Sequence, residues 1–132
     1  MMRFLLDTHI WLWMLREPHK LSSFVHQALY EPSNERFLSP VSIWEMTVLL
    51  AKKRIALDED FGEWFARTTG DLELTEAHLT WQVIHEMRYI LPNHKDPADR
   101  FLAATAIALD LILVTADQKL IGVPGLKVLA NV

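Results

Sequence analysis

Two apolar segments, RFLL at 3–6 and LILVT at 111–115, are too short for independent helices, and each leads into an aspartate, Asp7 directly and Asp117 two residues on. Apolar runs of four or five residues without polar alternation fit strands covered on both faces, as in a parallel sheet. LILVT, rich in branched side chains, is the strongest strand in the chain. Between them the pattern changes to helical spacing several times, so strands alternate with helices. That alternation predicts an α/β fold with a mainly parallel central sheet flanked by helices, in one domain spanning 1–132.

The remaining segments fill in that plan. THIWLWMLRE reads as a helix ending before Pro18, and SSFVHQALYE at 22–31 as a second helix opened by a serine cap. ERFLS at 35–39 reads as a strand, and SIWEMTVLLAKKRI at 42–55 as a helix whose last-turn cations complement its dipole. DEDFGEWFARTT at 58–69 reads as a helix, LELT at 72–75 as a brief strand, and EAHLTWQVIHEMRYI at 76–90 as a helix. Pro97 occupies a first helical position for ADRFLAATAIALD, and LKVLA forms a last strand.

In such sheets ligands bind beyond the carboxyl ends of the strands. Asp7 and Asp117 come after the two best parallel strands, while Glu45 and Asp99 lie near the starts of helices at other reversals. All four acids can reach one edge. Asp99 is notable because Leu102, Ala103 and Ala106 share its helical face, so an apolar stripe carries a carboxylate. Capping accounts for each acid singly. Asp96 before Pro97 is an N-cap signature that Asp99 would complete, Ser42 and Glu45 match S-x-x-E, and Asp7 and Asp117 can each cap the turn after them. Convergence on one edge favours a site, and carboxylates of this kind suit Mg²⁺ or Mn²⁺ far better than zinc.

The chain has no cysteine, which excludes disulfides and thiolate chemistry, and no apolar run approaches a membrane span. The N-terminus, interrupted by Asp7 and His9, reads as part of the fold rather than a leader, so a cytoplasmic protein is expected. Thirteen Lys and Arg against 17 Asp and Glu leave a net charge of −4, with no chain-wide basic footprint for nucleic acid. Without the four converging acids the chain would be balanced, 13 against 13. A metal ion over an acidic cluster can nonetheless bring phosphates close.

LLDTHIWLW, SIWE, HKDPADRFLAATA and LILVTAD, in this order, resemble the PIN-domain nucleases, and most closely the VapC-type toxins of toxin–antitoxin pairs. The resemblance implies a PIN-like three-layer sandwich and a ribonuclease dependent on Mg²⁺ or Mn²⁺. Its acidic residues map onto Asp7, Glu45, Asp99 and Asp117, with Asp96 left as cap or support. It further implies an RNA substrate, a small antitoxin protein that covers the site, and a homodimer. Asp7 and Asp99 are the expected direct metal ligands, Asp117 a ligand or water-positioner, and Glu45 a second ligand or orienter of the attacking water. Thr8 and Thr115 are similar to the small hydroxyl residues that line such sites. His9, His94, Arg100 and Lys119 stand beside the motifs as phosphate contacts or surface charges. Trp11, Trp13, Met14 and Trp44 are core residues or anchors for a partner.

Two other functions fit parts of the pattern. A receiver-like phosphoacceptor module also groups carboxylates, a threonine and a lysine at strand ends, and LVTADQK fits that in part. A PIN-like domain that binds RNA or protein without cutting is the other.

Overall fold

The computed structural model describes residues 1–90 and 95–132, so His94 lies outside the described residues. The chain runs β1 (Arg3–Leu6), α1 (Thr8–Arg16), α2 (Ser23–Tyr30), β2 (Glu35–Leu38), α3 (Pro40–Ala51) and α4 (Phe61–Asp71). It continues through β3 (Leu74–Glu76), α5 (Trp81–Glu86), α6 (Pro97–Leu109), β4 (Ile112–Thr115) and β5 (Val128–Ala130). Short 3₁₀ turns occupy Pro18–Lys20, Met87–Tyr89 and Gln118–Leu120.

The five strands form one sheet in the order β3-β2-β1-β4-β5, and all four pairings are parallel. Because neighbouring side chains on a strand point to opposite faces, β1 feeds two cores. Phe4 and Leu6 pack with Leu38 and Val114 against Ile10, Trp11, Val25, Met46 and Trp64 from α1 to α4. Leu5 packs with Phe37 and Leu113 against Val83, Leu102, Ala103 and Ala106 from α5 and α6. The result is three layers. Ala98, Ala103, Ala104 and Ala106 are buried, and their small side chains let α6 lie close to the sheet.

This strand order excludes the receiver-like alternative, whose doubly wound sheet has the order 2-1-3-4-5. Here the chain leaves β1 toward β2 on one side and returns to β4 on the other. The reversal falls between β1 and β4, the crevice where open parallel sheets place ligands.

Several boundaries differ from those read in the sequence. α3 begins at Pro40, capped by Ser39, whose hydroxyl accepts from Val41 N at 3.0 Å. Ser42 is therefore inside the helix, and Glu45 falls in its second turn rather than its first. The helix closes at Ala51, where Lys53 turns left-handed and Arg54 N donates to Leu49 O at 2.9 Å. Lys52, Lys53 and Arg54 thus lie beyond the helix. α5 is much shorter than 76–90, because Ala77 N donates to Leu38 O at 2.8 Å and prolongs the β3 pairing instead. α4 starts only at Phe61, after Asp60 as its cap, and β3 is displaced to Leu74–Glu76.

Glu73, just past α4, has φ +52, a left-handed conformation that a Cβ disfavours. Its ion pair with Arg36 is long, 3.8 Å, and only the Glu73 side of it is exposed. Replacing Glu73 with Gly is expected to raise unfolding stability by about 0.5–1 kcal/mol, readable as a higher urea midpoint with unchanged slope.

Candidate active site

Asp7 stands at the end of β1, at the point where β1 and β4 run side by side. Its N–H donates to Val114 O at 3.0 Å, which extends the strand pairing by one residue and sets Asp7 beside Thr115. The Thr115 hydroxyl donates to Asp7 Oδ2 at 2.6 Å and accepts from Asp117 N at 3.0 Å. One buried hydroxyl therefore joins the two strand-end aspartates. Asp117 Oδ1 in turn accepts from Lys119 N at 2.9 Å, capping the next turn.

Asp7 is only 6% exposed, and no lysine or arginine among the described residues forms an ion pair with it. Burial pushes its carboxyl above the usual aspartate range, and the charge of Asp117 adds to that effect. The hydrogen bonds from Thr115 and the Thr8 backbone, and the charge of His9, act the other way. His9 itself is exposed on α1.

Glu45 comes from α3 and is held from the side by α1. Thr8 Oγ1 is hydrogen-bonded to Glu45 Oε1 and lies 2.8 Å from Ser42 Oγ. A threonine has one hydroxyl proton, so Thr8 donates to the carboxylate while Ser42 donates to Thr8. Burial raises the Glu45 carboxyl above its usual range, Thr8 lowers it, and the charges of Asp7 and Asp96 raise it further. Ser42 is hidden in the sequence by the S-x-x-E pattern. That spacing reads as a capping box, but it equally places both residues on one helical face.

The first turn of α6 completes the surround. Asp96 is the N-cap, accepting from Ala98 N at 3.0 Å, and its charge is felt at Glu45. Asp99 lies in that same first turn and is half-buried. Arg100 is half-buried with an Nε that has no hydrogen-bond partner among the described residues, and the Lys119 side chain is exposed. Of the large apolar residues near the motifs, Trp11 and Met14 are core, Trp13 is half-buried, and Trp44 is 59% exposed.

The structure thus links Asp7, Asp117 and Glu45 through hydroxyls and mutual charge, with Asp96 acting from α6. Among the described residues, however, no three acids or histidines are grouped closely enough to hold a metal ion by themselves.

Residues 4–126 match the family model of the PIN domain. The chain belongs to the PIN-domain family. This PIN domain is 33% identical over 124 residues to Ribonuclease VapC22 of Mycobacterium tuberculosis, a match covering 88% of each chain. Its fold is similar to VapBC2 from Rickettsia felis bound to a promoter DNA fragment, with TM-score 0.68, 16% identity and 98% of each chain covered. It is similar to DNA-bound VapBC from Salmonella typhimurium at TM-score 0.68 and 17% identity, over 100% of each chain. A toxin–antitoxin complex from Klebsiella pneumoniae gives TM-score 0.63 and 22% identity over 97% of each.

The PIN-domain site has the donor chemistry for a hard divalent cation. Its polar groups are carboxylate and hydroxyl oxygens, and Asp7 is an anion taken out of water with no lysine or arginine among the described residues paired to it. A buried carboxylate in that position is costly unless a cation arrives. Mg²⁺ commonly takes one or two carboxylates and fills its other positions with water and substrate phosphate. The linked but uncaged acids of this PIN domain suit that habit.

Proposed function

We propose that this PIN domain is a ribonuclease dependent on Mg²⁺ or Mn²⁺, the toxin of a toxin–antitoxin pair. The observation that carries the reading is Asp7: a buried carboxylate at the sheet's switch point, hydrogen-bonded to Thr115, beside Asp117, with no ion-paired base among the described residues. The relative named a ribonuclease supports the reaction class. Asp7, Asp99, Asp117 and Glu45 would hold the cation, Asp7 and Asp99 directly. When bound, it would activate water for in-line attack on a phosphodiester and offset the negative charge that builds on the phosphoryl oxygens.

The chain's own residues supply the rest. Thr115 holds Asp7 and, through Asp117 N, sets the start of the next turn, so the two aspartates keep a fixed relation. Glu45, steadied by Thr8, which Ser42 holds in turn, orients the attacking water.

A small antitoxin protein that covers the site, and a homodimer, complete the proposal. The VapBC and toxin–antitoxin complexes of the same fold support the first. Trp81, 88% exposed, with Ile84 and Tyr89 also exposed, supports a self-association face. The whole of 1–132 acts as one domain in the cytoplasm, and no helix among the described residues is long and apolar enough to cross a membrane.

The deciding assay is cleavage of total RNA by purified protein. EDTA is expected to abolish cleavage, and excess Mg²⁺ or Mn²⁺ to restore it. Cleavage indifferent to EDTA would overturn the metal dependence. Binding without cleavage under every metal condition would instead favour a non-cutting RNA-binding domain.

A further inference from the structure

We propose that a basic cleft along the outer face of α1 is the track on which the RNA strand enters the acidic site, with Arg16 and Arg54 gripping its phosphates. This rests on the ribonuclease reading above and extends it to residues outside the four acids.

The cleft, about 270 Å³, is lined by His9, Trp13, Arg16 and Lys20 on one side and by Leu49 and Arg54 on the other. His9, Trp13 and Arg16 are spaced i, i+4 and i+7, so they form one stripe along α1. The stripe begins beside the active site, since His9 follows Asp7 and Thr8 in the first turn of α1, where Thr8 is hydrogen-bonded to Glu45. It ends at Lys20 in the turn after α1, whose ammonium lies 5.6 Å from the centre of the Trp13 ring. The opposite wall exists because α3 stops at Ala51: the left-handed turn at Lys53 brings Arg54 back toward α1.

Charge distinguishes this cleft on a chain that is acidic overall. In the neighbouring groove Arg67 is neutralised by Glu59 at 2.8 Å, and at the sheet edge Lys127 by Asp110 at 3.0 Å. Arg16 and Arg54 have no ion pair among the described residues. The one acid lining the cleft, Glu17, is matched by Lys20 at 2.5 Å. Lys52 and Lys53 adjoin Arg54 and are exposed. A groove with two arginines that form no ion pair among the described residues, and with an aromatic wall, open at one end to a phosphodiester-cutting site, has the composition of a single-strand track. An acidic peptide would use the cations but has no need of their continuity with Asp7.

The test is binding of a fluorescein-labelled 12-nucleotide single-stranded RNA, measured by anisotropy in EDTA so that nothing is cut. The Arg16→Ala/Arg54→Ala double variant is expected to bind at least about tenfold more weakly. Its log K against log salt should flatten by about 1.4, the value for two lost phosphate contacts on a single strand. Arg16→Lys/Arg54→Lys should keep most of the affinity, and Lys127→Ala, at the far edge of the sheet, should bind as the parent does. Circular dichroism establishes that each variant is folded. Unchanged affinity and salt slope in the double alanine variant overturns the track. Parent protein that cuts RNA while cleft variants bind normally sinks this proposal alone. Cleft-dependent binding by a parent that never cuts sinks the ribonuclease reading alone.

Discussion

An Asp7→Asn variant is expected to lose RNA cleavage by at least about 100-fold, beyond the 10–100-fold typical of outer-sphere changes around a metal, and to melt at a higher temperature than the parent without metal. The first effect comes from removing the charge that a cation would meet. The second comes from burial. Asp7 has its folded pKa raised above the unfolded value, so the folded state binds its proton more readily. Stability from this group is therefore greatest in acid, below the unfolded pKa, and falls as pH rises toward the folded pKa. Above both values the ionised carboxylate is a constant destabilisation. The melting advantage of Asp7→Asn should accordingly grow from about pH 4 upward and level off once Asp7 is fully ionised. Mg²⁺ should reverse the ranking, because a ligand at one hundred times its Kd stabilises the parent by about 2.7 kcal/mol and the variant by much less. An asparagine variant that cleaves RNA at the parental rate would sink the site.

Thr115→Val is expected to reduce cleavage as well, by about 10–100-fold, but with the opposite effect on stability. Valine nearly matches threonine in shape and fills the same buried space, yet it offers neither the donor to Asp7 Oδ2 nor the acceptor for Asp117 N. Two polar groups lose their partner at once. Each such loss in a buried setting costs about 1–3 kcal/mol, so unfolding stability should drop by about 2–6 kcal/mol. Thr115→Ser keeps the hydroxyl and should retain most of both activity and stability. Chemical denaturation of the three proteins at pH 7, with cleavage measured alongside, separates the outcomes. Equal stability of Thr115→Val and the parent would mean that the hydroxyl does not join the two aspartates.

The sheet is legible in the sequence because its strands are buried on both faces and read as unbroken apolar runs. RFLL and LILVT coincide with β1 and β4 almost residue for residue. Their pairing, and hence the meeting of Asp7 with Thr115, is a long-range fact that spacing does not carry. The expected helix over 76–90 is cut short because Ala77 has an apolar partner at helical spacing yet spends its N–H on β2. Local periodicity cannot register that competition. At the site the four acids and both threonines are legible as candidates from their positions at chain reversals. Ser42 is not, because one spacing serves two structures, and only the cap supplied by Ser39 frees Ser42 to face Thr8. Asp96 reads as a cap and is one, but its charge also reaches Glu45.

The position of β1 bears on synthesis. β1 sits in the middle of the sheet, and one of its two neighbours, β4, follows it in the chain only after α1 to α6. Until residues 112–115 are available, β1 lacks half its hydrogen bonds, and Asp7 has neither the Val114 carbonyl nor the Thr115 hydroxyl. In a growing chain the surroundings of Asp7 therefore stay unassembled until β4 has emerged, and they form in one long-range step, the docking of β4 beside β1.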